Sequence, residues 1–406
     1  MPPPQQRLRE TPEQTGQSKP DPALARPRRL GLRRKILFLG LVVVLALIGL
    51  EGAVRVMNRV RLGRWVASDP EQAAANSRLY IGHAWLGQIP QPGVSVTSKG
   101  RHININSFGY RGPDFTMAKP SGVIRIACLG GSTTFDVKVT DDEHAWPAKM
   151  GTFLRAQLGV PPAEVINAGT NGYAMPQTII DLSLRTLDVQ PDWVICFPGV
   201  NDLAYSNRVQ NQYGHSHEAI AWPADVPLWK RVLPYSELYN EIDGRIRYAR
   251  QKRYGNWEGR PVQRHDDIEP AALQAFARNL TTLAGICQAH RISLALVTVR
   301  TAYSREQPME LQLELAESDL RDHAHLSLAG HYAGYEAINR LIREAAARHD
   351  LLLIDQAAEL PAGQEYFADS VHFSDRGAEQ FAEFAAARLG PALTTRVTAE
   401  SGIQER

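Results

Sequence analysis

The chain has 406 residues, of which 44% are hydrophobic and 22% charged, enough for one large domain or two ordinary ones with appendages. Its net charge of +2 is unevenly distributed, because residues 1–35 carry nine Lys or Arg against three acids and the remainder carries 36 against 40. A body with a net charge of −4 is no polycation, so the composition argues against a nucleic-acid-binding protein.

The first 54 residues predict a membrane-anchoring segment. Residues 1–35 contain seven prolines and many basic side chains, which predicts a disordered basic cytoplasmic tail. Residues 36–54 are apolar with one acid near the end, and as a helix they would span about 28 Å, close to the roughly 30 Å hydrocarbon core. Basic residues directly before this stretch favour a cytoplasmic N-terminus, and hence a single-pass signal anchor in the cytoplasmic (inner) membrane with the rest of the chain periplasmic or extracellular.

Two alternatives compete with the anchor. A cleaved signal peptide would need a clean small-x-small site, which is lacking, and a 35-residue segment before the apolar run is unusually long for one. A buried core helix would not need the basic flank. The region that follows, 55–121, has turn signals and one alternating run at 102–106, which predicts a linker and a short strand strapped onto the next domain.

From residue 122 onward, apolar runs alternate with amphipathic helical patterns. Five strands are predicted, each apolar almost throughout, as in a parallel sheet covered on both faces: 123–129, 164–167, 193–197, 292–299 and 351–354. Helices are predicted at 142–158, 176–188, 269–289, 330–348 and 375–389, the last ending at Gly390-Pro391 before a C-terminal tail, 393–406. The pattern predicts a three-layer α/β/α domain whose five-stranded parallel sheet binds ligands beyond the carboxyl ends of its strands.

The remaining features of this domain are two insertions and three cysteines. Residues 203–267 hold nine Trp or Tyr and no Phe, which suits a sugar-binding platform, a lid or a small packed subdomain. They also contain a basic cluster, interpreted as a solvated helix face before a glycan or lipid-headgroup site: Arg245, Arg247, Arg250, Lys252 and Arg253. Residues 301–329 are predicted as a loop. Cys128 and Cys196 are expected to be buried thiols, with a disulfide between neighbouring strands as the alternative.

Chemistry-bearing residues follow the predicted strands. Gly130-Gly131 before Ser132 permits a tight turn that presents the Ser132 hydroxyl and directs its N–H into the same cleft. The second strand ends at Gly169, expected to offer an unobstructed N–H, and the third ends near the carboxamide of Asn201. Asp369 and His372 come directly before the last predicted helix.

These residue types match the needs of acyl transfer. A neutral imidazole suits proton abstraction at neutral pH, so His372 is the candidate general base and acid for the nucleophile Ser132. Asp369, three residues earlier, would orient the ring and stabilise the imidazolium. The Ser132 and Gly169 N–H groups with the Asn201 carboxamide would form an oxyanion hole.

The four segments resemble, in this order, the blocks of the SGNH, or GDSL-like, hydrolase superfamily, including Gly199-Val-Asn201-Asp202 and the Asp-x-x-His of the last block. The resemblance covers 123–390, which sets the hydrolase domain at 122–392, and the segment 106–112 is similar to one that precedes this domain in membrane-anchored bacterial members. It implies a flavodoxin-like fold, no metal or cofactor, and ester or acyl-transfer chemistry on lipids, glycans or small esters. One departure is Gly131, where the family has Asp, which puts the bracing of the turn and the substrate range in doubt.

The leading hypothesis is a serine esterase outside the membrane that removes O-acyl or O-acetyl groups from a carbohydrate or cell-envelope ester. The alternatives are an envelope-polysaccharide O-acetyltransferase, a lipase or lysophospholipase, and a non-catalytic envelope scaffold. The histidine groups are interpreted as polar loop residues and not as metal clusters, because no carboxylate or cysteine follows at a suitable spacing: His215, His217, His323, His325 and His331. Asn106 and Arg111 are expected to brace the strap.

Overall fold

The computed structural model describes residues 31–62, 79–98, 100–157, 163–206, 233, 236–255 and 261–404. The first helix, α1 (Leu32–Leu62), is the one helix in these ranges long and apolar enough to cross a membrane, over Leu32–Val60. None of its apolar window is buried, which contradicts the core-helix alternative. Its length and composition fit a membrane anchor or a signal sequence, and it extends beyond the predicted 36–54 at both ends.

The end of α1 contacts a helix of the predicted insertion, α6 (Glu237–Tyr254). The Glu51 carboxylate accepts hydrogen bonds from the Ser236 hydroxyl at 2.7 Å and from the N–H groups of Glu237 at 3.0 Å and Leu238 at 3.1 Å. The first N–H groups of a helix have no partner within it. Glu51 therefore caps α6 from a neighbouring helix.

Two antiparallel hairpins precede the main sheet, and only part of the second was predicted. They pair β1 (Tyr80–His83) with β2 (Gly87–Pro90), and β3 (Ser95–Ser98) with β4 (Arg101–Asn104). Such short strands give too little alternation to be recognised in sequence. Beyond them, the N–H of Arg111 donates to the carbonyl of Asn167 at 3.2 Å, so the strap joins an edge of the main sheet at that residue.

The predicted five-stranded parallel sheet is confirmed, in the order β6-β5-β7-β8-β9. Its strands lie within one or two residues of the predicted ends: β5 (Ile124–Gly130), β6 (Ala163–Asn167), β7 (Trp193–Phe197), β8 (Ser293–Val297) and β9 (Leu352–Ile354). Every residue of β5 and β7 is buried, as expected for central strands covered on both faces. The three cysteines are buried free thiols, which confirms that prediction and contradicts the disulfide alternative.

Helices cover both faces of the sheet. They are α2 (Ser132–Phe135), α3 (Trp146–Gln157), α4 (Met175–Leu184), α5 (Val200–Ser206), α7 (Pro270–Ala289), α8 (Met309–Leu315), α9 (Glu317–Asp322), α10 (Leu328–Arg348), α11 (Gln356–Glu359) and α12 (Asp375–Gln404). Helices α3 and α12 pack on each other, and α7 packs on α4 and α10. The predicted helix 176–188 divides into α4 and a short 3-10 helix, Thr186–Val189.

Three sequence interpretations need correction or fall outside the described residues. The predicted stop at Gly390-Pro391 is wrong, because α12 continues to Gln404; one further turn buries Leu393 beside Leu389, while Pro391 stays on the exposed side. The predicted loop 301–329 contains α8 and α9. Most of the aromatic insertion lies outside the described residues, and of its basic cluster the described side chains on α6 are exposed.

Candidate active site

The turn after β5 carries Ser132 and leaves no room for side chains beside it. Gly130 has φ +150°, and a Cβ there would lie 2.3 Å from Thr134 Oγ1. A Cβ at Gly131 would lie 2.5 Å from Asn201 Nδ2 and 2.9 Å from the carbonyl oxygen of Tyr173. Position 131 therefore excludes the Asp of the common pattern, since Asn201 and Tyr173 occupy the space its side chain would need.

Folding brings the hydroxyl of Ser132 to an imidazole 240 residues downstream. His372 Nε2 lies 2.7 Å from Ser132 Oγ, and His372 Nδ1 lies 2.8 Å and 2.9 Å from the two carboxylate oxygens of Asp369. Because a carboxylate only accepts, Nδ1 carries the proton and Nε2 is left as the acceptor for the Ser132 hydroxyl. The three side chains have the connectivity of a serine-hydrolase triad.

The carboxylate of Asp369 is held in its charged form. Burial alone would favour the neutral acid, but hydrogen bonding and charge from His372, with the N–H groups of His372 and Val371, lower the pKa of Asp369 well below its usual value. Lys138 Nζ also lies 3.1 Å from Asp369 Oδ2. Lys138 could not be predicted from sequence, since a lone lysine after the serine block is indistinguishable from a surface residue.

Two of the expected oxyanion donors face the serine turn. Ser132 is the first residue of α2, where N–H groups have no partner within the helix. Asn201 Nδ2 donates one hydrogen bond to the carbonyl of Tyr173 at 2.9 Å, which fixes the carboxamide against Gly131. A carboxamide nitrogen has two hydrogens, so the second remains for a bound oxyanion.

Gly169 differs from expectation. Its N–H donates to Asn167 Oδ1 at 3.1 Å, so the prediction of an unobstructed donor is wrong. A Cβ at Gly169 would lie 2.3 Å from the Phe135 nitrogen, which shows how closely this loop packs under α2. The role of Asn167 could not be predicted from sequence. It depends on a side-chain rotamer that directs the carboxamide oxygen to the N–H of Gly169.

Arg111 braces the other end of the helix that begins with Ser132. Its guanidinium donates to the carbonyls of Phe135 and Asp136, both at 2.7 Å, and to Asp142 Oδ1 at 2.7 Å. The side chain is 1% exposed, so these charge-assisted bonds form away from bulk water. Arg111 was expected to brace the strap, and it also ties the strap to α2.

Asp136, which follows α2 with φ +65°, is a fully buried acid. Burial raises its pKa to about 7, although the N–H of Trp146 and the charge of Arg111 act in the opposite direction. A folded-state pKa above the unfolded value of 3.8 means that the native state binds the extra proton, so this group lowers stability as pH rises from about 4 to about 7.

We expect Asp136→Asn to stabilise the protein relative to wild type increasingly as pH rises across that window, since asparagine cannot ionise. The difference in Tm between variant and wild type, measured by thermal unfolding at pH 5, 6, 7 and 8, should grow with pH and level off above 7. Asp188→Asn, at an exposed carboxylate, is the matched control. A pH-independent difference for Asp136→Asn would contradict the argument.

A family model described as the GDSL-like lipase/acylhydrolase family matches residues 128–380. Among solved structures, the chain is similar to a lipase/acylhydrolase from Enterococcus faecalis, with 16% identity, a TM-score of 0.40, and coverage of 66% of this chain and 96% of that one. It is also similar to an acetylxylan esterase from Geobacillus stearothermophilus, with 15% identity, a TM-score of 0.40, and coverage of 66% and 94%. Identities this low carry no information on substrate. No curated protein matches the chain in sequence.

Proposed function

Because the chain belongs to the GDSL-like lipase/acylhydrolase family, we propose that it hydrolyses esters with Ser132 as nucleophile, His372 as general base and acid, and Asp369 as the group that orients His372. The observation that carries this assignment is the 2.7 Å contact between Ser132 Oγ and His372 Nε2, backed by Asp369 on the far side of the ring. We further propose that the substrate is an O-acyl, and above all O-acetyl, group of a carbohydrate or other cell-envelope ester.

In the first half-reaction, Ser132 Oγ attacks the ester carbonyl carbon while its proton passes to His372 Nε2. The negative charge on the carbonyl oxygen is stabilised by the Ser132 N–H and Asn201 Nδ2, and Gly169 contributes its N–H only when it releases Asn167. The imidazolium, stabilised by Asp369, then protonates the departing alcohol. Water attacks the acyl-enzyme with His372 again accepting the proton, which releases the carboxylic acid and restores the Ser132 hydroxyl.

The location and substrate class rest on two supports. Arg33, Arg34 and Lys35 lie at the start of α1, which by the positive-inside rule favours a catalytic domain on the outer side of the cytoplasmic membrane, where envelope esters are available. Tyr205, the first aromatic residue of the insertion, donates from its hydroxyl to the carbonyl of Gly172 at 3.2 Å. That contact lies beside the Tyr173 carbonyl that holds Asn201, and rings with a polar tip suit a half-wet, sugar-facing surface.

The proposal is tested by activity profiling of the purified full chain in detergent micelles. We expect p-nitrophenyl acetate to be cleaved faster than the butyrate and palmitate esters, and acetate to be released from O-acetylated xylan. Fastest cleavage of palmitate would favour a lipase, and transfer of acetyl to a glycan acceptor without free acetate would favour an acetyltransferase. If the protein neither hydrolyses these esters nor is labelled at Ser132 by a fluorophosphonate probe, an enzymatic role is contradicted.

Removing one oxyanion donor should lower the rate of the chemical step. We expect Asn201→Ala to lower kcat by about 10²–10³ with little change in KM, since this carboxamide meets the oxygen only as charge develops on it. Steady-state kinetics on p-nitrophenyl acetate measure both constants. Asn240→Ala, in α6, is the matched control and should leave them unchanged. A loss confined to KM would contradict the assignment of Asn201.

A further inference from the structure

Outside the active site, Asp319, His323 and His331 converge between α9 and α10. One potential metal-ligand atom from each residue lies within 4.8 Å of those from the other two. Asp319 and His331 are buried, and the His323 side chain is 11% exposed, so the cluster has one edge near solvent. A loop over 301–329 would not bring a carboxylate to these histidines. In the structure Asp319 lies in α9 and His323 directly follows that helix, one helical turn further along the chain.

The position of the hydrogen on His331 is fixed by its surroundings. His331 Nδ1 lies 2.8 Å from the carbonyl oxygen of Ser327, and a carbonyl only accepts, so Nδ1 carries the hydrogen. The lone pair is therefore on Nε2, which is buried and has no hydrogen-bond partner among the residues the structure describes. An unsatisfied buried acceptor is costly, and metal-ligating histidines commonly donate their other N–H to a carbonyl in this way.

Asp319 is oriented by two phenols. Its Oδ2 accepts from Tyr303 at 2.7 Å and from Tyr335 at 3.1 Å, while Oδ1 lies 3.9 Å from His323 Nδ1. Both phenols donate, because a carboxylate only accepts. Two hydrogen bonds on Oδ2 leave Oδ1 directed at the histidines, as expected for an outer shell that orients a ligating carboxylate.

We propose that Asp319, His323 and His331 bind one divalent transition-metal ion of the zinc class. Two imidazoles and a carboxylate form a donor set that such ions favour, with water completing the coordination from the exposed edge of His323. Zinc bonds of about 2.0–2.1 Å place neighbouring tetrahedral ligands about 3.3 Å apart, so the donors must approach one another by roughly 1.5 Å at most. Rotation of the partly exposed His323 side chain supplies most of that movement.

The ion would act by holding a helix against the catalytic loop, with no part in the chemistry. The N–H of Asp319 donates to Ser370 Oγ at 3.1 Å, and Ser318 Oγ lies 2.7 Å from the same oxygen. Ser370 directly follows Asp369, the residue that contacts His372. An ion bound to Asp319 and His323 would thus fix α9, which positions the Asp369–His372 segment.

The test is zinc binding by the full chain in detergent, stripped with EDTA and titrated with ZnCl₂ by calorimetry, with Tm followed in parallel. Wild type should bind one equivalent, and an excess of about 100 times Kd should raise Tm by about 5 °C or more. Loss of an outer-shell partner alone weakens affinity about 10–100-fold, so His323→Asn, which removes a ligand, should weaken Kd by about 100-fold or more. His290→Ala, at an exposed histidine after α7, should bind as wild type.

Two outcomes would overturn the proposal. Wild-type protein that binds no zinc would show that these three side chains do not form a metal site. Unchanged zinc binding by His323→Asn would assign the ion to another part of the chain. Both readouts are independent of ester hydrolysis, so an inactive enzyme that binds zinc would contradict the proposed function and leave the metal site standing.

Discussion

Ser132→Ala is expected to lower kcat for ester hydrolysis by roughly 10⁴ to 10⁶-fold and to abolish labelling by a fluorophosphonate probe. The reason is geometric, because Ser132 Oγ lies 2.7 Å from the His372 nitrogen that would take its proton, and alanine supplies no atom to attack the ester. The helix α2 should survive the change, since its bracing comes from Arg111 and the backbone. Kinetics on p-nitrophenyl acetate, with circular dichroism to verify folding, measure the effect.

Ser183→Ala is the matched control, since Ser183 is exposed on α4 and its hydroxyl donates to the carbonyl of Ile179 in its own helix. It should retain wild-type kcat and probe labelling. If folded Ser132→Ala protein hydrolysed esters as fast as wild type, Ser132 would not be the nucleophile.

His372→Ala is expected to cause a loss of the same order, because the Ser132 hydroxyl then has no base to accept its proton. Residues that act as one unit are strongly non-additive, so the double variant Ser132→Ala/His372→Ala should be no slower than either single variant. The experiment is a double-mutant cycle on kcat. Multiplied losses in the double variant would show that the two side chains act independently, against their observed contact.

The sheet and the position of the candidate site follow from sequence because they depend on local patterns and one topological rule. Buried strands such as β5 and β7 are apolar throughout, and parallel strands deliver their carboxyl ends to one edge. That rule is sufficient to bring Ser132 and Asn201 together, and the Asp-x-x-His spacing predicts the pairing of Asp369 with His372.

What sequence could not predict depends on side-chain rotamers and on contacts between distant segments. The capture of the Gly169 N–H by Asn167 rests on one rotamer. The hydrogen bond from Arg111 to the end of α2 forms only because the strap contacts the sheet edge. No local sequence pattern predicts that contact. The cluster of Asp319, His323 and His331 depends on α9, a helix in the region predicted to be a loop.

The cap that Glu51 provides makes the start of α6 depend on the apolar N-terminal helix. A recombinant form trimmed before residue 55 to improve solubility would strip α6 of the carboxylate that satisfies its first N–H groups and the Ser236 hydroxyl. The first turn of α6 would then be left with N–H groups that have no partner within the helix.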